Sequence, residues 1–215
     1  MPVDQPIGTA VLYVSSNVAP ETYVAFSTWC DTIHHFDTMR IDGFLSLRRF
    51  ELVDGFIEGD TTEYRLLTLY QVAKAENADF STPSYQQHTA TYTPPPDGVV
   101  DRITFERTVY ERVDESSLAQ PVGTACVTLV GEDGTWLKEA AGVARGVSGV
   151  LNAYRVAGEA GGVLLVDVED LTAGRAVLAA LANVDHGGRR RSLQLFAQVF
   201  PARGVLCRDR EVRGA

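Results

Sequence analysis

Hydrophobic and polar positions follow a fixed order of periods along the chain, and that order occurs twice. Residues 8–15 form an apolar run bounded by Gly8 and by Ser15-Ser16-Asn17, which reads as a strand. A helix follows, opened by Asn17, Pro20 and Glu21, with Tyr23, Phe26, Cys30, Ile33 and Asp37 at helical spacing. It is expected to run to about Arg40, where Gly43 stops it. Strands at 43–53 and 63–72 flank the acidic loop DGFIEGD and pair as a hairpin. A second helical region at 73–91, interrupted by Thr82-Pro83, leads through Pro94-Pro95-Pro96 to a strand at 102–113. The second half repeats the series: strand 122–130, helix 133–145, strands 149–157 and 162–168, helix 172–183, strand 192–200. Each half reads β-α-β-β-α-β, the split βαβ of ferredoxin-like domains.

The residues echo one another as well. IGTAVLYV at 7–14 answers VGTACVTL at 122–129, GFLSLRRF at 43–50 answers GVLNAYRV at 149–156, and ITFERTVY at 103–110 answers LQLFAQVF at 193–200. A repeat of about a hundred residues has the size of a small domain rather than of a solenoid unit. The expected division is 1–114, a polar linker, 121–201, and a basic tail at 202–215. A ferredoxin-like sheet carries helices on one face only, so its other face needs a cover. The second sheet supplies it. The expected fold class is α+β: two fused ferredoxin-like domains forming an intramolecular barrel, helices outside.

Charge narrows the partners. A net charge of −9 over 215 residues disfavours sequence-independent attraction to nucleic acid or to an anionic membrane. No stretch approaches the ~18 apolar residues of a membrane span, and the start MPVDQPIG lacks the pattern of a secretory leader, so a cytoplasmic location is expected. Cys30, Cys126 and Cys207 are too few and too dispersed for a disulfide framework or a zinc site, and no metal is expected. Phosphate loops, GxSxG elbows, dinucleotide fingerprints and HExxH are absent.

The segment FSTWCDTIHHFDTMRIDGFLSLRRFEL resembles the signature of the dimeric α/β-barrel superfamily, a helix with a W-Y-D-x-E-H type motif followed by a P-G-F strand opening. EYRLLTLYQV and ITFERTVYERV resemble its third and fourth strands. Branches of that superfamily include EthD-like proteins, antibiotic-biosynthesis monooxygenases, muconolactone isomerases, polyketide cyclases, and the haem-binding chlorite-dismutase and aldoxime-dehydratase groups. The motif maps onto Trp29, Asp31 and His34, with Ile33 where the family has glutamate.

His34 is the first candidate for chemistry, because an imidazole titrates near neutral pH and can take and return a proton beside an apolar pocket. Asp31 and Asp37, three residues to either side, are placed to fix its tautomer. His35, four residues after Asp31, reads as a structural ion pair; the spacing does not let both histidines point inward. The second half offers only alanine, glycine and valine at the equivalent of His34, so one decorated half is expected beside one stripped half. His88 is the second catalytic candidate, in reach of the same pocket, whereas His186, flanked by Gly187-Gly188, reads as a turn residue. Tyr13, Trp29, Arg49, Phe50, Tyr70 and Tyr85 are the expected binding residues, and Arg48, Glu106 and Arg107 an expected salt-bridged layer between the sheets.

Together these readings lead to the expectation of a cofactor-free, metal-free enzyme that cyclises, dehydrates or isomerises a hydrophobic, aromatic or polyketide-like carbonyl compound. His34 acts as acid and base, and a tyrosine or His88 polarises the carbonyl. Alternatives are a cofactor-independent monooxygenase, a haem-dependent dehydratase or peroxidase, and a non-catalytic binding module. The partners expected are a small hydrophobic substrate and, beyond the intramolecular pseudo-dimer, a possible homodimer.

Overall fold

The computed structural model describes residues 3–58, 63–114, 119–132, 134–159, 161–201 and 206–207. The first half holds β1 (Val3–Pro6), β2 (Ala10–Val18), α1 (Tyr23–Trp29), α2 (His35–Thr38), β3 (Phe44–Ile57), β4 (Leu66–Val72), α3 (Pro83–Thr89) and β5 (Ile103–Arg112). The second holds β6 (Ala119–Val122), β7 (Ala125–Gly131), α4 (Thr135–Arg145), β8 (Val150–Gly158), β9 (Gly161–Val168), α5 (Leu171–Ala182) and β10 (Arg190–Phe200), followed by β11 (Leu206–Cys207). Strand order is β5-β2-β4-β3 in one module and β8-β9-β7-β10 in the other, so the same β-α-β-β-α-β topology is built twice.

The two sheets join at both edges instead of only stacking. β3 pairs antiparallel with β10 from Ser192↔Ile57 to Phe200↔Arg49, and β5 pairs with β8 at Glu111↔Ala157 and Arg112↔Val156. Among the described residues the result is a closed barrel of eight strands. A separate ribbon, β1 with β6, ties the N-terminus to the start of the second module. The sequence pattern did not foretell it, nor β11, which pairs with β3 inside the supposed tail and buries Leu206. The rest of the tail and most of the linker, at 115–118, lie outside the described residues.

The echoed segments have matching physical causes. A side chain on Gly8 would sit 1.7 Å from the Val72 carbonyl oxygen, and one on Gly123 would sit 1.9 Å from that of Val168. The following threonine then ties down its strand: Thr9 bonds the Ala73 carbonyl oxygen through its amide at 3.1 Å and its hydroxyl at 2.8 Å, and Thr124 bonds that of Glu169 at 3.2 and 2.9 Å. Gly43 and Gly149, in the turns that lead from the helix into β3 and β8, have φ of +88° and +82°, where a side chain is strained.

Three layers of apolar packing result. Inside the barrel lie Val11, Phe50, Leu69, Tyr154, Leu165 and Phe196. Outside the second sheet, α4 and α5 pack Trp136, Leu137, Ala140 and Leu181 onto Val127, Leu164 and Leu195. Gly174 lets α5 approach Leu195, whose Cδ1 would be 2.4 Å from an added Cβ. Outside the first sheet the helices are shorter, with Met39, Ile41, Phe44 and Tyr70 in one cluster and Phe26, Cys30, Leu66 and Val99 in another. Each fully buried large apolar side chain contributes roughly 1.5–3 kcal/mol.

Candidate functional site

The first helix of module one is not a uniform α-helix. Pro20 opens a 3-10 turn at Pro20–Thr22, α1 follows, and the chain then widens into a π-helical turn at Cys30–His34 before α2. A π turn accommodates an extra residue, so side chains after it rotate away from the register a 3.6 period predicts. The inward stripe therefore runs Phe26, Cys30, His34, Thr38, not through Ile33 and Asp37 as the periodicity suggested. His35 also lines the cavity this stripe faces, which corrects the expectation that only one of the two histidines points inward.

That cavity, about 360 Å³, lies between the helical layer and the outer face of β2, β4 and β5. Leu12, Val14, Phe26, Trp29, Phe80 and Phe105 give it apolar walls. Ser16, His34, His35, Thr38, Thr68, Tyr70, Tyr85 and Arg107 supply its polar groups. Val100 and Phe105, which also line it, are 58% and 54% exposed and mark the side open to solvent.

The His34 ring stacks on Trp29, centroids 4.5 Å apart, and meets the edge of Tyr92 at 5.8 Å. Its Nδ1 is buried without a hydrogen-bond partner among the described residues. Burial pushes its pKa down to about 4, only partly opposed by Asp37, so the ring is neutral at pH 7. His35 is 2% exposed, stacks on Phe200 of β10 at 5.3 Å, and has Nδ1 3.3 Å from the Tyr70 hydroxyl. Burial holds His35 well below the usual histidine range, with help from His34 and Arg49.

Neither aspartate contacts the His34 ring by hydrogen bond among the described residues. Asp31 receives Arg49 through Nε at 3.1 Å and Nη2 at 2.9 and 2.7 Å. Burial raises its carboxyl pKa against the pull of that guanidinium. Asp37 binds Arg40 at 3.0 Å and accepts the Thr93 amide at 3.3 Å. His88 stands behind the cavity with Nε2 3.2 Å from the Asp37 carbonyl oxygen and its ring 5.7 Å from Tyr92.

Of the expected binding residues, Trp29, Tyr70 and Tyr85 line the cavity with His34. Arg49 is committed to Asp31. Tyr13 and Phe50 do not reach it: a strand turns alternate side chains to opposite faces, and these two face the barrel interior, Tyr13 edge-on to Tyr110 at 6.1 Å. Arg48 also enters the interior, but its partner is Asp167 of the second module, while Glu106 and Arg107 are exposed. The predicted layer of Arg48, Glu106 and Arg107 is thus replaced by a cross-module pair. His186 sits at a turn, 3.9 Å from Glu58. Cys30, Thr38, Phe80 and Arg107 were not foreseen as lining residues; the four-residue spacing of Phe26, Cys30, His34 and Thr38 was the available signal.

No protein-family model matches the sequence, and no curated protein matches it. Solved structures do. A protein described as a chlorite dismutase superposes with a TM-score of 0.57 at 12% identity, over 93% of this chain and 96% of the other. The encapsulated DyP-type peroxidase of Mycobacterium smegmatis gives 0.55 at 11%, over 92% and 96%. A haem-binding protein of Thermus thermophilus gives 0.53 at 9%, over 93% and 95%. The fold is the dimeric α/β barrel, closed within one chain. At these identities the likeness is one of fold. It nevertheless corrects the expectation of a cofactor-free cyclase, dehydratase or isomerase, because proteins of this architecture are named for haem binding and peroxidase activity. The haem alternative is the better supported. Among the described residues no group of three or more His, Cys, Asp or Glu gathers to hold a metal ion by side chains alone, and no helix is long and apolar enough to cross a membrane.

Proposed function

We propose that the chain is a haem-dependent enzyme of peroxidase or dehydratase type, with the haem seated in the first-module cavity beside His34. The observation that carries this reading is a neutral imidazole with an unpartnered ring nitrogen in an apolar, aromatic-walled slot. A protonated histidine has no free lone pair for iron; the neutral imidazole is the commonest metal-binding form. The residues present fit the group in three respects. His34 would hold the iron through a ring nitrogen without first losing a proton. Leu12, Val14, Phe26 and Phe80 suit a flat apolar ring. Arg107, exposed at the mouth, suits a haem carboxylate reaching solvent. The enclosed volume is at the small end of ligand sites, roughly 300–1,000 Å³, and the cavity opens to solvent beside Val100 and Phe105.

Bound there, haem would supply redox-active iron chemistry. The chain itself does the rest. Trp29 stacked on His34 fixes the plane of the imidazole. The apolar walls exclude water and raise the weight of each polar contact inside. Ser16, Thr38, Thr68, Tyr70 and Tyr85 line the cavity with hydroxyls able to hydrogen-bond a substrate. In this reading 1–114 is the decorated half of a tandem duplication and 121–201 is its fixed partner. Titrating the purified protein with hemin tests the proposal: a saturable Soret band is expected, lost in His34→Ala and kept in His88→Ala. No band in wild type refutes it.

A further inference from the structure

The two seams of the barrel are closed unequally. In one, β3 runs 14 residues to Ile57 and its ladder covers β10 from Ser192 to Phe200. In the other, β8 runs 9 residues, turns back between Gly158 and Gly161, and pairs with β5 only at Glu111 and Arg112. The stretch 193–200 of β10 echoes 103–110 of β5, so the short hairpin of the second module leaves bare what the long hairpin of the first module covers. Among the described residues no strand pairs with 103–110 on that side.

Backbone groups alternate in direction along this edge. The Arg112 amide bonds the Thr9 carbonyl oxygen at 2.8 Å and the Ala19 amide bonds that of Arg102 at 3.2 Å, both on the β2 side, whereas the Val113 amide bonds that of Arg155 at 3.0 Å. Even-numbered residues therefore address β2. Odd-numbered ones, Ile103 and Phe105 among them, turn N–H and C=O outward. Such an edge is a template for another strand. The residues that blunt edges, proline, glycine and lysine, are absent from ITFERTV at 103–109, and good strand formers fill it. Thr104, Phe105, Glu106 and Arg107 are all exposed.

This stretch is also its own complement. Antiparallel pairing about a two-fold axis at Thr104 sets Ile103 opposite the partner's Phe105, Arg102 opposite the partner's Glu106, and Asp101 opposite the partner's Arg107. Each pair recurs across the axis, and odd residues meet odd ones, as the outward backbone groups require. Asp101 and Arg102 stand exposed in the 3-10 turn Val100–Arg102 at the end of the strand. Arg102 already bonds Glu21 of its own chain, and a guanidinium has donors for both carboxylates.

We infer that 103–107 of β5 is a docking edge for a second copy of this chain, joining two barrels in antiparallel register about Thr104. Ile103 and Phe105 also line the cavity, so the partner's Phe105, seated on Ile103, adds a wall to it. The inference does not depend on haem: an absent Soret band leaves it standing.

Sedimentation equilibrium of the full chain from micromolar to millimolar concentration tests it, with amide hydrogen exchange followed over the same range. Wild type is expected to dimerise. Glu106→Arg sets arginine against arginine twice across the axis and is expected to weaken the dimer about tenfold. Adding Arg102→Glu to that variant restores opposite charges and is expected to recover most of the loss. The amides of Ile103 and Phe105 are expected to become protected only as the dimer forms, while those of Thr104 and Glu106 are protected throughout. A wild type that stays monomeric, or a dimer as tight in Glu106→Arg as in wild type, overturns the inference, as does a double variant no tighter than Glu106→Arg. Protection of Ile103 and Phe105 at every concentration means that the chain covers its own edge, and overturns it as well.

Discussion

Arg48 on β3 and Asp167 on β9 meet inside the barrel, each buried and each contributed by a different module. Around them Gln71 bonds the Tyr154 hydroxyl at 3.0 Å and accepts from Arg112 at 3.1 Å, so a polar layer crosses an otherwise apolar core. Removing one member of a buried ion pair strands the other charge, whereas replacing both with apolar residues often costs nothing. Asp167→Ala is expected to destabilise the protein by about 3–5 kcal/mol. Arg48→Met with Asp167→Leu is expected to be close to neutral. Urea unfolding of the single and double variants checks both.

A second prediction concerns the repeated Gly-Thr pairs. Since an added methyl at Gly8 or Gly123 would collide with a backbone carbonyl, which cannot turn aside as a side chain can, each Gly→Ala change is expected to cost about 3 kcal/mol. Gly98 has nothing within 4 Å of the same position, though its φ of +73° adds some strain, and its alanine variant should cost clearly less. Thermal melts of the three variants rank them.

Acid should destabilise the protein through the two buried histidines of the first module. His34 has a folded pKa of about 4 against an ordinary 6.5, so between those values the unfolded chain binds more protons than the folded one. Its neutral form is accommodated fully above pH 6.5, and stability is lost as pH falls towards 4, by on the order of 3 kcal/mol. His35 is shifted in the same direction and adds to the loss. His34→Gln should flatten the stability profile between pH 6.5 and 4, measured by urea midpoints; an unchanged slope would show that the ring is solvated.

Much of this architecture was written in local pattern. Apolar runs bounded by glycine and polar turns gave the barrel strands to within a few residues, and the echoes at Gly8 and Gly123 or Gly43 and Gly149 mark places where only glycine fits. The losses have physical reasons too. β1 spans four residues whose pairing depends on β6, far along the chain, and a stretch so short carries no period. The partner of Arg48 lies 119 residues away and in the other module. The π turn at Cys30–His34 shifts the inward stripe by one position, which converts Ile33 and Asp37 into His34 and Thr38. Tyr13 and Phe50 were aromatic and nearby in sequence, but strand parity sent them to the other face.

The central claim is that His34 would hold a haem through its imidazole. The most direct measurement is electron paramagnetic resonance of the hemin-loaded protein, compared with His34→Ala in the absence and presence of added imidazole. The account predicts a nitrogen-ligated signal in wild type, its loss in the variant, and its return when free imidazole fills the space the side chain left. The same signal in both proteins without added imidazole would contradict it.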